Sequence, residues 1–374
     1  MSSLDHAFLF TLLFVVFFVF TRFRQSFLNR HYWQIVAIPI ILYSLILGCR
    51  YGWGNDYLWY KLRFERPFFY KEEDFGFRTL NLSLSELGLN YVGVYITYSL
   101  IYIVTAFVLI KDYKENKYML ALFLPATVMQ STFTIRQSVA HSFVFLAFYF
   151  LSRKKWSYIA FMLLITYSIH PGALLLTVPI AIFFLLKAKA IPWQVSIPVY
   201  IIVSLLTELL SSQITSIATQ YLPMLSLSNK FDNYVQNEYW FNENAIQEEW
   251  KQGTLTLILS MAFHVSIFYI GYVALKYRPK QKVIYFYNTV VIGFILQRLF
   301  WTFEIFRRIA TPYTILYFIP LGYAFYFLRH NIKRLPLLER NLCIIAVASI
   351  LMYLALFFGR FILQSPKYDF FWNR

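Results

Sequence analysis

Long apolar runs recur along the chain between short polar turns, and this rhythm predicts helices that cross a membrane. A helix needs about 20 apolar residues to span the hydrocarbon core. Twelve runs are placed near 5–21, 32–49, 91–110, 118–134, 137–152, 156–170, 172–187, 192–210, 254–275, 283–300, 309–328 and 341–359. Those ending at Phe150 and His170 are short, which leaves room for breaks or re-entrant pieces. The expected fold class is all-α, a polytopic integral membrane protein of about 12 transmembrane helices. No linker or low-complexity stretch divides it, so residues 1–374 are expected to form one domain. Two long polar segments, about 50–90 and 211–253, interrupt the rhythm.

The polar turns alternate in charge. Arg22, Arg24, Arg30, Lys111, Lys114, Lys117, Arg153, Lys154, Lys155, Lys187, Lys189, Lys276, Arg278, Lys280, Lys282, Arg329, Lys333, Arg334 and Arg340 fall in every second connection, with only Asp112, Glu115 and Glu339 among them. The remaining connections balance acid and base, so the formal net charge of +16 sits on one face. Basic loops stay in the cytoplasm, which puts both termini and both long segments outside. The first run follows Asp5 and His6 rather than basic residues and lacks a small-residue cleavage site, so it is read as a retained span.

Composition agrees with this picture. The chain is 59% hydrophobic, 21% aromatic and 14% charged, where soluble domains carry about 25% charge; its mean hydropathy is +0.54. The basic excess reports topology and anionic lipid and gives no support to nucleic-acid binding. Cys49 and Cys343 lie at or within runs, so neither a disulfide framework nor a metal cluster is expected.

Charge on the outward side is where chemistry is sought, because ionisable groups at membrane depth are costly. Arg50 and Asp56 flank Gly52 and Gly54 at the end of the second run, beside Tyr57 and Tyr60. They are either a pair that pins a loop or a ligand-facing arginine with a carboxylate placed as general base. Arg136, followed by Gln137, is either an interfacial anchor or a phosphate ligand. His170 precedes Pro171-Gly172 and is either a turn residue or a proton shuttle. His141 is ambiguous, and His264, mid-run, is expected to pack. Arg307 and Arg308 are adjacent at an outward end, with Arg298, Glu304 and Tyr313 close by. Anion recognition would offset the cost of keeping them there. A phosphate loop, a His-Glu-x-x-His helix, a Cys-x-x-Cys pair and a Gly-x-Ser-x-Gly elbow are all absent from the sequence.

Three blocks then resemble the EpsG family of bacterial exopolysaccharide proteins. They are Arg50-Tyr-Gly-Trp-Gly-Asn-Asp-Tyr57 with Tyr60; Ile135-Arg136-Gln137-Ser-Val-Ala140 with a span ending at His170; and Arg307-Arg308 with Tyr313 and Pro320. Asn55 departs from the small hydroxyl residue expected there, and the 211–253 segment does not align. The resemblance implies a Wzy-like polymerase in the bacterial cytoplasmic (inner) membrane, with its active site facing outward. It implies a glycosyltransferase that joins undecaprenyl-diphosphate-linked oligosaccharide repeats, donor to acceptor, and releases undecaprenyl diphosphate without a cofactor or metal. A chain-length regulator is a further partner of such enzymes. On this view Arg307, Arg308 and Arg136 hold the diphosphate, Arg50 supports them, and Asp56 or His170 is the base. Gln137, Tyr57, Tyr60 and Tyr313 line the substrate. The rival classes are a flippase for lipid-linked oligosaccharide, which would spread cations through several depths, and an acyltransferase of surface sugars, which would need a clear catalytic histidine.

Overall fold

The described residues are mostly helical in the computed structural model, which covers residues 2–19, 31–52, 57–66, 74–209, 213, 254–301, 304–363 and 369–370. Three of the described helices are long and apolar enough to cross a membrane by length and composition: Tyr91–Ile110, Leu255–Tyr277 and Leu337–Ile362. The others are shorter, and prolines sit inside several of them, at Pro39, Pro125, Pro198 and Pro312. Spanning helices tolerate such breaks because neighbouring helices satisfy the freed backbone groups. The segment from 211 to 253 lies outside the described residues apart from Gln213.

The chain divides into two compact units: Met1–Ala181 with Leu321–Tyr326 and Leu354–Arg374, and Ile182–Pro320 with Phe327–Tyr353. In the first unit, α1 (Ser2–Val19) and α2 (Tyr32–Gly48) lead to a short strand β1 (Arg50–Tyr51), then α3 (Tyr57–Glu65) and α4 (Phe75–Glu86). Helices α5 (Tyr91–Ile110), α6 (Asn116–Phe133), α7 (Ile135–Leu151) and α8 (Trp156–Ile169) follow. A glycine sets the approach of α2 to α5: a Cβ on Gly48 would meet the Cα of Ile96 at 2.5 Å. Asn90 caps α5, its Oδ1 accepting from the Gly93 amide at 2.9 Å, and so satisfies one of the orphan donors of a helix start.

The first long polar segment, about 50–90, contains helix where it is described. Helices α3 and α4 lie down on the bundle, and their buried Tyr57, Phe64, Phe77 and Leu84 share one core with Tyr91, Tyr95 and Tyr98 of α5, Ile135 and Ala140 of α7 and Ile169 of α8. Gly76 lets α4 meet α8, since any Cβ there would run into Ser168. The buried Asn81 of α4 accepts a hydrogen bond from the Tyr98 hydroxyl. Beyond them, β1 pairs antiparallel with β2 (Asp369–Phe370), with Arg50 opposite Phe370 and Tyr51 opposite Asp369.

The second unit is built on α10 (Trp193–Leu209), which follows α9 (Thr177–Leu185), and on α11 (Thr254–Tyr277), α12 (Gln281–Leu299) and α13 (Glu304–Ile315). The α12–α13 contact is close because Gly293 admits Tyr313, whose Cβ a methyl group at 293 would meet at 2.5 Å. Asn288 ties α12 to the chain before α10, donating to the Lys189 carbonyl and accepting from the Ile191 amide, both at 2.9 Å. Helices α14 (Phe318–Asn331) and α15 (Leu337–Leu363) contribute to both units.

Long-range polar contacts within each unit respect the alternation of charge along the chain. In the first, Arg153 bonds Asp112 at 2.7 Å, joining two basic turns, while Arg136 meets Asp74 and Arg50 meets Phe370, joining balanced ones. In the second, Lys276 bonds Glu339 at 2.8 Å, and Gln281 donates to the Ala188 carbonyl, again within the basic set. A contact that joined a basic turn to a balanced one would break the alternation; these do not.

Candidate active site

At the balanced end of the first unit the expected residues take distinct stations. Arg50 is only 1% exposed. Its guanidinium lies over the Tyr95 ring, 5.2 Å from the centroid, a contact worth up to about 2 kcal/mol or more when desolvated. A pocket of about 10 Å³ opens beside it, lined also by Tyr95, Tyr98, Tyr102 and Ser138; that is room for about one water. An arginine this enclosed works on the fold first, whatever else it does. Tyr57 is also buried, its carbonyl accepting from the Tyr91 hydroxyl at 2.7 Å, and Tyr60 sets its ring against Phe77. Asp56, with Trp53, Gly54 and Asn55, lies outside the described residues.

Arg136 opens α7 and reaches Asp74, at the start of α4, with Nη1 to Oδ2 at 3.2 Å. Both side chains are mostly covered, so the pair is stronger than an exposed one. Gln137 follows it, partly exposed. One turn further, His141 is fully buried and is an electrostatic neighbour of His170. His170 ends α8 in extended conformation, φ −161° and ψ 97°, with its ring folded towards Gly172, whose added Cβ would meet Nε2 at 3.2 Å. Thus one end of one unit holds Arg50, Arg136, His141 and His170, and adds Asp74, which carries no local signal of its own among the charges around it.

The second unit carries the other cationic group. Arg298, 7% exposed, sits in the last turn of α12, where its Nε donates to the Ser204 hydroxyl at 3.4 Å. Its guanidinium carbon lies 5.2 Å from the Trp301 ring centre, and that of Arg307 lies 5.6 Å from the same ring. Arg307 precedes the span expected from residue 309. Burial, and then the charge of Arg308, push its guanidinium down to about 10, so it stays charged at neutral pH. Below this group, Tyr200 of α10 shares a hydrogen bond with Nδ1 of His264 at 2.7 Å, which gives His264 its expected packing role beside Phe294. Tyr313 is buried in the α12–α13 contact. The side chain of Glu304 lies outside the described residues. What the sequence reading passed over is Trp301 and the place of Arg298; an arginine near the end of an apolar run was the available signal.

Over residues 32–372 the chain matches the model of the EpsG family. The chain therefore belongs to the EpsG family, a Wzy-like polymerase family of exopolysaccharide biosynthesis, and its apolar helices make it a membrane protein. Comparison with curated proteins and with solved structures finds no match.

Proposed function

We propose that this protein is a polysaccharide polymerase, joining undecaprenyl-diphosphate-linked repeat units at the outer face of the cytoplasmic membrane. The observation that carries the reading is the gathering of Arg298 and Arg307 around Trp301 at one end of the second unit, with the charge of Arg308 next to Arg307, in a member of this family. The acceptor hydroxyl oxygen attacks the anomeric carbon of the lipid-linked donor. The bond from that carbon to the diphosphate oxygen breaks, and the diphosphate leaves as an anion. Guanidinium groups aimed at the departing charge lower the barrier most where water is scarce. Arg307 takes this role, with Arg308 beside it in sequence, and the hydroxyl proton passes to a base, for which the sequence offers Asp56 or His170. Arg136, held by Asp74, serves the bound saccharide or phosphate, and Arg50 supports it through the packing already described.

The test is made in cells. Arg307→Ala and, separately, Asp56→Asn are expected to leave protein levels normal while single lipid-linked repeats accumulate on the outer face. Normal polymer length in both variants would overturn the reading. Repeats trapped on the cytoplasmic side would point to the flippase instead.

A further inference from the structure

Sequence order makes Arg307 and Arg308 look like one clamp, but successive helical residues point about 100° apart, and such neighbours do not face each other. Arg308 acts on Arg307 through its charge, but the arginine placed over the same aromatic ring as Arg307 comes from another helix. Arg298, in the last turn of α12, and Arg307, in the first turn of α13, both lie within 6 Å of the Trp301 ring centre. Each gains from the indole face, and a polyanion that reached both would be held from two helices at once.

Arg298 is held for the purpose. Its Nε donates to Ser204, whose hydroxyl in turn donates to the Tyr200 carbonyl at 2.7 Å. Tyr200 is itself fixed by His264. A guanidinium anchored through Nε presents its planar fork in one orientation, which suits a phosphate's paired oxygens. One fork satisfies one phosphate. Two forks from separate helices, meeting on one ring, suit two phosphates joined together.

Resting on the polymerase reading above, we propose that Arg298 and Arg307 form the diphosphate clamp on Trp301, and that Arg298 makes this site select a diphosphate over a monophosphate. Arg308 is then peripheral to the clamp.

The experiment uses the purified full chain in lipid nanodiscs, titrated with farnesyl diphosphate and with farnesyl monophosphate. The wild type is expected to prefer the diphosphate by about tenfold or more. Arg298→Ala is expected to lose that preference by weakening the diphosphate alone, and Arg298→Lys, which keeps charge without the fork, to recover little of it. Arg308→Ala is expected to keep the preference. Melting temperature and monodispersity are checked for each variant, and Arg298→Lys decides if Arg298→Ala fails to fold. Should Arg307→Ala lose the preference while both Arg298 variants keep it, the clamp is wrong and the polymerase reading stands. A wild type that ignores both ligands, or binds them equally, would sink the diphosphate site itself.

Discussion

Arg136 Nη1 and Asp74 Oδ2 lie 3.2 Å apart, one at the start of α7 and the other at the start of α4, so α4 is bolted to the bundle by charge. Removing either partner leaves the other mostly covered and should cost about 1–3 kcal/mol. The exchange Asp74→Arg with Arg136→Asp separates two roles. If Arg136 only fastens α4, the exchange restores both melting temperature and polymer length. If it also touches substrate, the exchange restores melting temperature while polymer length stays short, and that second outcome is expected.

Gly76 is the point where α4 touches α8. Gly76→Leu should lift α4 from the bundle at a cost of about 1–3 kcal/mol, as overpacking does. Limited proteolysis of membranes should then cut within α4, Phe75–Glu86, where the wild type resists. Equal resistance in the two would mean that α4 is not held at this contact.

The pairing of Tyr51 with Asp369 is testable by chemistry. Paired residues on antiparallel strands have Cα atoms about 4.5–5.5 Å apart, inside the range a disulfide accepts. After Cys49→Ala and Cys343→Ala, the double variant Tyr51→Cys with Asp369→Cys should crosslink under mild oxidation. A control with cysteine at Leu58 in place of Tyr51 should not.

Cysteines placed at Lys154 and at Asp74 should label differently in intact cells. A membrane-impermeant maleimide is expected to reach position 74 and to miss position 154. The reverse pattern would invert the topology and remove the outward site.

Much of the helical layout was legible because lipid leaves the backbone few alternatives: a long apolar run must satisfy its own amides, and helix does so. Helix α4 was not legible, since the many charges of the 50–90 segment masked the Phe77, Asn81 and Leu84 stripe at helical spacing that it buries. Partners such as Asp74 for Arg136 are far apart in sequence and leave no local trace. The same holds for β1 and β2, two-residue strands from opposite ends of the chain. At the second cationic group the sequence put weight on adjacency, Arg307 beside Arg308, whereas the geometry joins Arg307 to Arg298 through Trp301. Side chains on a helix are grouped by direction and not by order. Asp56 and the 211–253 segment lie outside the described residues, and their readings stand as expectations.

Arg50 and Tyr51 pair with residues far downstream in the chain. Pairing of this kind is rewarded only after a long loop has closed, whereas the helix contacts of the first unit join nearer neighbours. The backbone edge beside Arg50 is therefore expected to close late in folding, after the helices around it have met.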